Sequence, residues 1–504
     1  MTDYYKIAYI GAGSHRFSMG LFRNIIAAAQ KGLDGKPVHA ALVDVDAKVL
    51  NYTSKILDHM GKNAGVDLKV TSHTNQREAL EGAQFLYKSI SVGGQAAEWY
   101  DNYVSHKMGI PQNTGDTVGP GGFFRGLRCF APVTSLAKDM AELCPDAVLL
   151  NYTNPQATIV KAARRVKKDL QFLGLCHELF GGMNAVQMFN NFLCEDFPLV
   201  QDWNKDLDFT YVGVNHFTWL LTVLNDGHDL YQEMRNKWET AYKDSIGGRK
   251  FNWYLLGQHD YFPYPGSRHV AEFMPEYYNY FNHKGSPGNF GIVNLRDVKS
   301  LGLSHRYAIH RFSALSREFS MEKLPKPTTH GEHALQMTAD FINSEASHHH
   351  VVNLPNFNNE LCSNLPEGAI LEVPGYFKDG KMCGLKIGTI PNEIADLVRV
   401  HCEVQNYVVD AAEKGDPDIL LKGLLLDPMC TLIEDEERIE ALRDHLLFYQ
   451  QEWLPTFKEV IPKEEDLKNS KYYVSKKDIA TQSDAYNVKY PIRDEIKKKC
   501  LPPF

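Results

Sequence analysis

Short apolar runs recur through the first third of the chain. They are Lys6–Ile10, His39–Val43, Leu68–Val70, Ala83–Ile90 and Ala147–Leu150. Runs of this kind are typical of strands buried on both faces of a parallel sheet. Segments 19–29 and 158–167 have the spacing of amphipathic helices. Regular alternation of strand and helix predicts an α/β fold with a Rossmann-like, doubly wound parallel sheet.

The pattern becomes less regular farther along the chain. Segments 173–176, 209–214 and 386–390 predict further strands, and 394–413 predicts a helix that ends at Lys414-Gly415. Because no repeat or linker separates the two parts, we expect an α+β second domain intergrown with the first. We assign residues 1–200 to the Rossmann-like domain, and 201–504 to a domain for substrate, metal and subunit contacts.

Composition narrows the class of protein. The chain has 504 residues, of which 43% are hydrophobic and 23% charged, with a net charge of −8. An ordinary globular composition argues against disorder. The negative charge disfavours nucleic acid and anionic membranes as partners. The nine cysteines are scattered without CxxC spacing, and no apolar run approaches the roughly 18–20 residues of a membrane span. We therefore expect a cytoplasmic protein.

A glycine turn follows the first predicted strand. Gly11 and Gly13 would let the backbone approach a pyrophosphate at the start of the first helix. Arg16 stands where the third glycine of the GxGxxG pattern would be. Asp44 ends the second strand, where a carboxylate can bind a ribose hydroxyl and favours NAD over NADP. The turn predicts a nicotinamide dinucleotide, although Asp44 has the alternative role of a helix cap.

Two polar loops come next. The glycine-rich loop 113–122 carries Asp116, and Arg125 and Arg128 follow closely enough to gather anionic groups. The alternative is that Asp116 caps the next helix. Asn154 follows a predicted strand at the carboxyl edge of the sheet, where open α/β proteins bind ligands. Its alternative role is again capping.

Cysteine and histidine side chains end two further strands. Cys176 and His177 follow one strand, and His216 follows another. A Cys/His pair with open positions can hold a divalent transition metal that also binds substrate oxygens. The alternative is a packed cysteine and hydrogen-bonded histidines. The cluster Gly266–Glu272 lies among aromatic residues, which fits either a sugar pocket or an ordinary core or interface.

Taken together, these motifs resemble those of the NAD-dependent family-4 glycoside hydrolases. They are Gly11-Ala-Gly-Ser14, Val118-Gly-Pro-Gly-Gly122, Asn151-Tyr-Thr-Asn-Pro155, Cys176-His-Glu-Leu179 and Val214-Asn-His-Phe-Thr-Trp219. Order and spacing both fit over most of the chain. Cys176-His-Glu-Leu179 is most similar to the Cys-His-Glu-Val form of the α-galacturonidases. The resemblance implies an exo-acting α-galacturonidase, with an α-galactosidase or α-glucosidase of the same family as the alternative.

The resemblance also implies a mechanism outside the usual two-carboxylate scheme of glycosidases. NAD⁺ takes a hydride from C3 of the sugar, and the resulting ketone acidifies the C2 proton. A base removes that proton, Mn²⁺ or another divalent metal stabilises the negative charge, and the aglycone leaves by elimination. Water then adds and NADH returns its hydride.

Residue roles are carried over by position. The cofactor positions are Gly11, Gly13, Ser14, Asp44 and Asn154; the metal positions are Cys176 and His216; the substrate positions are Asn154, Glu178 and Arg268; and the catalytic positions are Asp116, His177 and Tyr264. One departure stands out, because related enzymes read Gly-Asp-Arg-His where this chain has Ser267 in place of the aspartate. That aspartate is a candidate C2 base, so Tyr264 is the replacement that we expect.

Two functions from other classes of protein also fit the sequence. A plain NAD-dependent sugar dehydrogenase would need no Cys/His metal site and would release NADH. A silent sugar-binding protein would bind NAD and sugar without turnover, since Ser267 cannot act as a base unaided. The expected partner is a small uronide sugar, and the resemblance implies a homodimer or homotetramer.

Overall fold

The computed structural model describes residues 4–475 except 15, 32, 111, 113, 177, 180–187, 193–205, 276–297, 325–333 and 344–349. Within this part of the chain, all named strands belong to a 13-stranded sheet. No helix among the described residues is long and apolar enough to cross a membrane.

The first half of the sheet is parallel. Its strands are β1 (Tyr5–Ile10), β2 (Val38–Val43), β3 (Leu68–His73), β4 (Phe85–Lys88), β5 (Val148–Asn151) and β6 (Gln171–Leu175). They lie in the order β3-β2-β1-β4-β5-β6, and each neighbouring pair is parallel. This is the strand order of a dinucleotide-binding Rossmann fold. The predicted fold class is confirmed.

The second half of the sheet is antiparallel. Its strands are β7 (Leu207–Val214), β8 (Phe217–Asn225), β9 (His228–Asp229), β10 (Phe262–Pro263), β11 (His350–Pro355), β12 (Ile370–Lys378) and β13 (Lys381–Gly384). The order continues from β6 as β11-β12-β7-β8-β10. β11 joins the two halves by pairing with β6 at one side and β12 at the other. One sheet therefore runs through both predicted domains.

Helices flank the sheet. They are α1 (Ser18–Lys31), α2 (Ala47–Ala64), α3 (Gln76–Leu80), α4 (Gly94–Lys107), α5 (Gly119–Leu143), α6 (Gln156–Val166), α7 (Leu230–Asn236), α8 (Trp238–Lys243), α9 (Lys250–His259), α10 (Ser267–Phe273), α11 (Val298–Arg317), α12 (Ala334–Asn343), α13 (Asn392–Lys414), α14 (Pro417–Leu426), α15 (Glu436–Tyr449) and α16 (Glu464–Asn469). α2 shows how the sequence sets these limits. It begins at the Asp46 cap, buries Leu50, Ile56 and Leu57, and ends at Gly65 in the left-handed conformation.

Most of the predicted elements are present within a few residues of their expected ends. The helix expected to end at Gly415 does so, because Gly415 adopts a left-handed conformation. The strand predicted at 386–390 is wrong. That segment makes only a single bridge, from Gly388 to Cys362. Gly388 has a φ of 82°, which interrupts the extended backbone that a strand requires.

Candidate functional site

The glycine turn (Gly11–Ser14) connects β1 to the start of α1. Gly11 has a φ of 89°, and a Cβ atom there would lie 2.4 Å from the Ser89 carbonyl oxygen. A Cβ atom on Gly13 would lie 2.7 Å from Oδ2 of Asp44. Both positions therefore need glycine for reasons of conformation or space. Ser14 accepts a hydrogen bond from Phe17 N–H at the entry to α1, 3.3 Å away.

Asp44 holds this turn from the end of β2. Its Oδ2 accepts a hydrogen bond from Gly13 N–H at 2.8 Å, and its Oδ1 accepts one from Asp46 N–H at 3.0 Å. The cap of α2 is Asp46, which accepts from Lys48 and Val49. The alternative of Asp44 as a helix cap is therefore wrong. Its carboxylate lies beside the turn where the sequence predicts a ribose.

A buried carboxylate fixes the start of the glycine-rich loop. Oε1 of Glu272, on α10, accepts hydrogen bonds from the backbone N–H groups of Thr114 at 2.7 Å and Gly115 at 3.0 Å. Burial raises the pKa of Glu272 to about 7, against the opposing effects of these hydrogen bonds and of His269. The segment that leads to Asp116 is thus attached to a distant helix.

A second buried carboxylate fixes the end of the same loop. Oδ2 of Asp427 accepts from Gly119 N–H at 3.0 Å, at the first turn of α5. Burial raises the pKa of Asp427 to about 6. The cap position of α5 is Val118, without a side-chain capping bond, so the alternative of Asp116 as the cap is wrong.

Asp116 and Thr117 lie between these two attachment points and join the predicted ligand residues. Asn154 Nδ2 donates to Asp116 Oδ2 at 3.0 Å, and Thr117 Oγ1 donates to Asp116 Oδ1 at 2.6 Å. The same Thr117 oxygen lies 2.9 Å from Nδ1 of His216. A continuous chain of hydrogen bonds therefore runs from the end of β5 to the β7–β8 turn.

His216 occupies an unusual backbone position. It lies in the tight turn between β7 and β8 with a φ of 70°. A non-glycine residue in this region stores strain, which is common at functional sites. Its ring stacks on that of His269, with centroids 4.0 Å apart. Nδ1 of His269 is buried without a hydrogen-bond partner among the described residues.

Asp116, His216 and His269 form a candidate cation site. One ligand atom from each lies within 4.8 Å of the others. Burial alone would raise the pKa of Asp116, but the two imidazoles and Arg125 outweigh it and hold the pKa well below its ordinary range. Asp116 is therefore ionised at neutral pH and accepts hydrogen bonds. We call Asp116, Thr117, Asn154, His216 and His269 the polar cluster.

The predicted ligand Cys176 follows β6 directly and is half-buried. It is not one of the three residues grouped as a cation site among the described residues. His177 lies outside the described residues. Both roles stay predictions.

Glu178 reaches across to the start of α10. Its Oε2 accepts a hydrogen bond from Gly266 N–H at 2.8 Å, and its Oε1 lies 3.7 Å from Nε2 of His269. Burial would raise the pKa of Glu178, but His269, His216 and Arg249 lower it to about 2. Arg268 follows Gly266 in the first turn of α10 and is exposed. Glu178 therefore anchors the segment that carries Arg268.

Tyr264 joins a buried carboxylate network. Its hydroxyl donates to Oε1 of Glu372, a residue of β12 with no exposed surface. Asn215 and Asn353 donate to Oε2 at 2.8 and 3.0 Å, and Thr218 Oγ1 lies 3.0 Å from Oε1. Burial and Glu372 raise the pKa of Tyr264 well above its ordinary value. A free Tyr264 phenolate is therefore strongly disfavoured in this arrangement.

The two arginines after the glycine-rich loop have different partners. Arg125 is half-buried and donates through Nε to the Asn154 carbonyl at 3.1 Å. Arg128 instead forms a buried ion pair with Asp101, with Nη2 at 2.7 Å from Oδ2. The expectation that Arg128 gathers an anionic ligand is wrong, because this ion pair already occupies its guanidinium.

Several residues that shape the site have no role predicted from the sequence: Thr117, His269, Glu272, Glu372 and Asp427. Thr117 lies in the glycine-rich loop 113–122, and His269 and Glu272 lie in the cluster Gly266–Glu272, so membership of a polar segment was a usable signal for these three. The three acids lie far along the chain from the groups they bind. Apolar neighbours around Glu372, as in Ile370-Leu-Glu-Val373, were the signal for a carboxylate within a buried strand.

Comparison with known proteins gives concordant matches over most of the chain. Residues 6–191 match the family model "Family 4 glycosyl hydrolase", and residues 211–430 match that of its C-terminal domain. An α-galactosidase of Bacillus subtilis is 27% identical over 477 residues, covering 90% of this chain and all of that protein. An α-galacturonidase of Lachnoclostridium phytofermentans is 26% identical, covering 89% and 97%. The crystal structure of a 6-phospho-α-glucosidase from gut microorganisms, in complex with NAD and Mn²⁺, has a TM-score of 0.73 at 18% identity, covering 90% and 99%.

Proposed function

Since the chain belongs to family 4 of the glycosyl hydrolases, we propose that it is an exo-acting α-galacturonidase that uses NAD⁺ and a divalent metal such as Mn²⁺. The proposal goes beyond the family because the relatives include an α-galactosidase as well as an α-galacturonidase. It therefore needs support from residues that recognise the uronate carboxylate.

The observation that carries the substrate class is the contact between Glu178 and Gly266. A negative Glu178 beside a uronate would be unfavourable if it faced the sugar directly. Instead its carboxylate accepts from Gly266 N–H and lies close to His269. It thereby anchors the turn that presents Arg268, whose guanidinium can bind a carboxylate through two parallel hydrogen bonds.

The glycine turn fits a dinucleotide. Gly11 and Gly13 leave no room for a side chain, and Asp44 lies at the turn with both oxygens accepting from backbone N–H groups. Ser14 lies at the entry to α1, and the positive end of a helix dipole suits a pyrophosphate. When bound, NAD⁺ would supply a hydride acceptor for C3 of the sugar.

The polar cluster fits a divalent cation. Its carboxylate and imidazoles are ligand types that Mn²⁺ and related ions accept, and the buried Nδ1 of His269 lacks a partner among the described residues. We assign His216 and Cys176 as ligands from the resemblance, and Asp116 and His269 as neighbours that join or orient them. The metal would supply a Lewis acid. Asn154, held by Asp116, would orient the sugar.

Tyr264 takes the C2 proton in this proposal without becoming a free phenolate. As the Tyr264 oxygen receives the proton from C2, its own proton passes to Glu372 along the existing hydrogen bond. One O–H bond forms on the tyrosine as the other breaks, and Glu372 holds the proton. Ionised Asp116 orients its neighbours, which leaves His177 as the group that protonates the leaving oxygen.

Hydrolysis of an aryl α-D-galacturonide in D₂O, with NAD⁺ and Mn²⁺, tests the proposal. We expect cleavage with deuterium at C2, no net NADH, and much slower cleavage of the aryl α-galactoside and α-glucoside. Cleavage without exchange at C2 would contradict the redox route. Faster cleavage of the galactoside would make the chain an α-galactosidase, and accumulation of NADH would make it a dehydrogenase.

Arg268→Gln sharpens the substrate assignment. We expect kcat/KM for the uronide to fall by about 10–100-fold, because a charged hydrogen-bonded pair is lost. Slow cleavage of the galactoside should change less than about threefold, since that substrate has no carboxylate. Arg235→Gln is the control, because Arg235 packs on Tyr231 in another part of the chain. An equal loss on both substrates would contradict carboxylate recognition by Arg268.

A further inference from the structure

Thr117 lies between a carboxylate and an imidazole. Its Oγ1 is 2.6 Å from Oδ1 of Asp116 and 2.9 Å from Nδ1 of His216. A threonine hydroxyl has one proton to donate and two lone pairs that accept. The neighbour that accepts this proton determines whether Nδ1 of His216 carries a hydrogen.

Asp116 is the neighbour that receives it. Its Oδ2 already accepts from Asn154 Nδ2 at 3.0 Å, and its Oδ1 faces Thr117. Both oxygens thus serve as acceptors, as in an ionised carboxylate. With its proton directed at Asp116, the Thr117 oxygen can only accept from His216. Nδ1 must therefore carry a hydrogen, and in the neutral ring Nε2 then carries none.

We propose that Thr117 is a positioning residue that fixes His216 in the Nδ1–H tautomer, so that the lone pair of Nε2 is presented to a divalent cation. The proposal deepens the proposed function and rests on the metal assigned there. Partners of this kind set the tautomer and orientation of metal-binding histidines, and their loss typically weakens metal binding about 10–100-fold.

The surroundings make this orientation rigid. The His216 ring stacks on His269 with centroids 4.0 Å apart, and its backbone is confined to a two-residue turn. The loop that carries Thr117 is attached at its two ends to buried Glu272 and Asp427. Neither the hydroxyl nor the ring can move far without breaking these contacts, so little reorientation is needed when a cation binds.

Mn²⁺ titration of the metal-free full-length protein, followed by electron paramagnetic resonance of the free ion, tests the proposal. For Thr117→Val, which keeps shape and removes the hydroxyl, we expect Kd to rise about 10–100-fold. Thr117→Ser should stay within about threefold of wild type, since the hydroxyl remains. Thr53→Val is the matched control, because that buried hydroxyl bonds only carbonyls within α2. Wild-type Mn²⁺ affinity in Thr117→Val would overturn the proposal.

The tautomer itself can be measured on the wild-type protein, so that the result does not depend on the stability of a Thr117 variant. In ¹⁵N-histidine-labelled, metal-free wild type, we expect His216 to show a protonated Nδ1 and an unprotonated Nε2, with His216→Gln used for assignment. A protonated Nε2 would overturn the inference even if the site binds metal.

The two proposals fail in different ways. If wild type binds no Mn²⁺, or if His216→Ala binds it equally well, the metal assignment in the proposed function is wrong, while the tautomer measurement still decides the role of Thr117. If His216→Ala loses the ion but Thr117→Val retains it, only the further inference is wrong. NAD⁺ affinity should be the same within about twofold in all Thr117 variants, because among the described residues the glycine turn bonds to Val43, Asp44 and Phe17 rather than to Thr117.

Discussion

The glycine turn lies in the parallel half of the sheet, whereas the polar cluster joins the two halves, and different interactions hold them. In the turn, a glycine backbone and one carboxylate at the end of the neighbouring strand suffice. In the polar cluster, buried acids from remote segments hold the loops. Glu272 is 157 residues from Gly115, and Asp427 is 308 residues from Gly119.

This difference indicates in which region one substitution changes both the stability of the fold and the geometry of the site. Parallel strands bring their carboxyl ends to one edge of the sheet, so the turn needs few additional contacts. The polar cluster sits partly on an antiparallel hairpin, and its position depends on carboxylates taken out of water. Such groups cost free energy unless every oxygen is hydrogen-bonded. Substitutions of the buried acids should therefore affect folding and the cluster together, while the turn should respond locally.

The largest expected effect comes from Glu372→Leu. This change removes the acceptor for Asn215, Asn353 and Tyr264. The donors of Asn215 and Tyr264 are left buried without that partner, and Asn353 retains only its 3.3 Å bond to the Gly174 carbonyl. We expect a loss of about 3–5 kcal/mol in the free energy of unfolding. Urea denaturation of the full chain measures it.

Glu372→Gln is the matched control. Its oxygen can still accept from Tyr264, and its NH₂ can donate to Asn215 if that amide rotates, since Oδ1 of Asn215 is buried without a partner among the described residues. Asn353 keeps its orientation, because its Nδ2 also donates to the Gly174 carbonyl at 3.3 Å. We expect a loss of only about 1 kcal/mol, but slow exchange at C2 because the relay has lost its proton acceptor. A Gln variant as unstable as the Leu variant would contradict this account of the network.

Glu272→Gln should have an intermediate effect that depends on pH. Burial raises the pKa of Glu272 from 4.5 to about 7, so its neutral form is favoured by folding. The stability from this group is fully present below its unfolded pKa and is lost as pH rises through about 7. Glutamine keeps the acceptor for Thr114 and Gly115. We expect the variant to match wild type at about pH 4 and to exceed it by on the order of 1–3 kcal/mol at pH 8.

Thermal or urea unfolding across this pH range measures the difference. Asp427→Asn is an informative companion, since Asp427 accepts on both oxygens and an amide cannot reproduce that. A Glu272→Gln variant less stable than wild type at pH 8 would mean that the ionised carboxylate stabilises the loop.

The smallest expected effects come from Asp44→Ala and Asp46→Ala, which distinguish the roles of two nearby acids beside the glycine turn. Asp44→Ala should weaken NAD⁺ binding about tenfold, equal to about 1.4 kcal/mol, because the carboxylate beside the turn is lost. Asp46→Ala should leave NAD⁺ affinity unchanged and lower stability by about 1 kcal/mol, since it removes only the cap of α2. Binding titrations and urea unfolding of both variants measure this. Equal NAD⁺ affinities would contradict a cofactor role for Asp44.

Sequence patterns were informative where structure is local. Lys6–Ile10 predicts β1 because a continuous apolar run fits a strand covered on both faces. Gly11 and Gly13 predict the turn because few other residues could occupy it. Segment 394–413 predicts a helix whose last residue is set by Gly415.

They were less informative where partners come from far along the chain. Nothing near Glu272 in the sequence indicates that its carboxylate binds the loop at Thr114. Nothing near Tyr264 indicates that its hydroxyl faces Glu372 on another strand. Arg128 has the spacing of an anion-binding residue, but its partner is Asp101 of α4. Such pairings depend on tertiary packing, which hydrophobic periodicity does not encode.

The pairing of β6 with β11 affects whether the two parts of the chain can be expressed as separate fragments. A fragment of residues 1–200 would contain all six parallel strands but not β11, so β6 would become an outer strand. Its unpaired N–H and C=O groups would then be available to strands of other molecules. We expect that fragment to self-associate when expressed alone, and expect fragment complementation to need the partner piece present during synthesis.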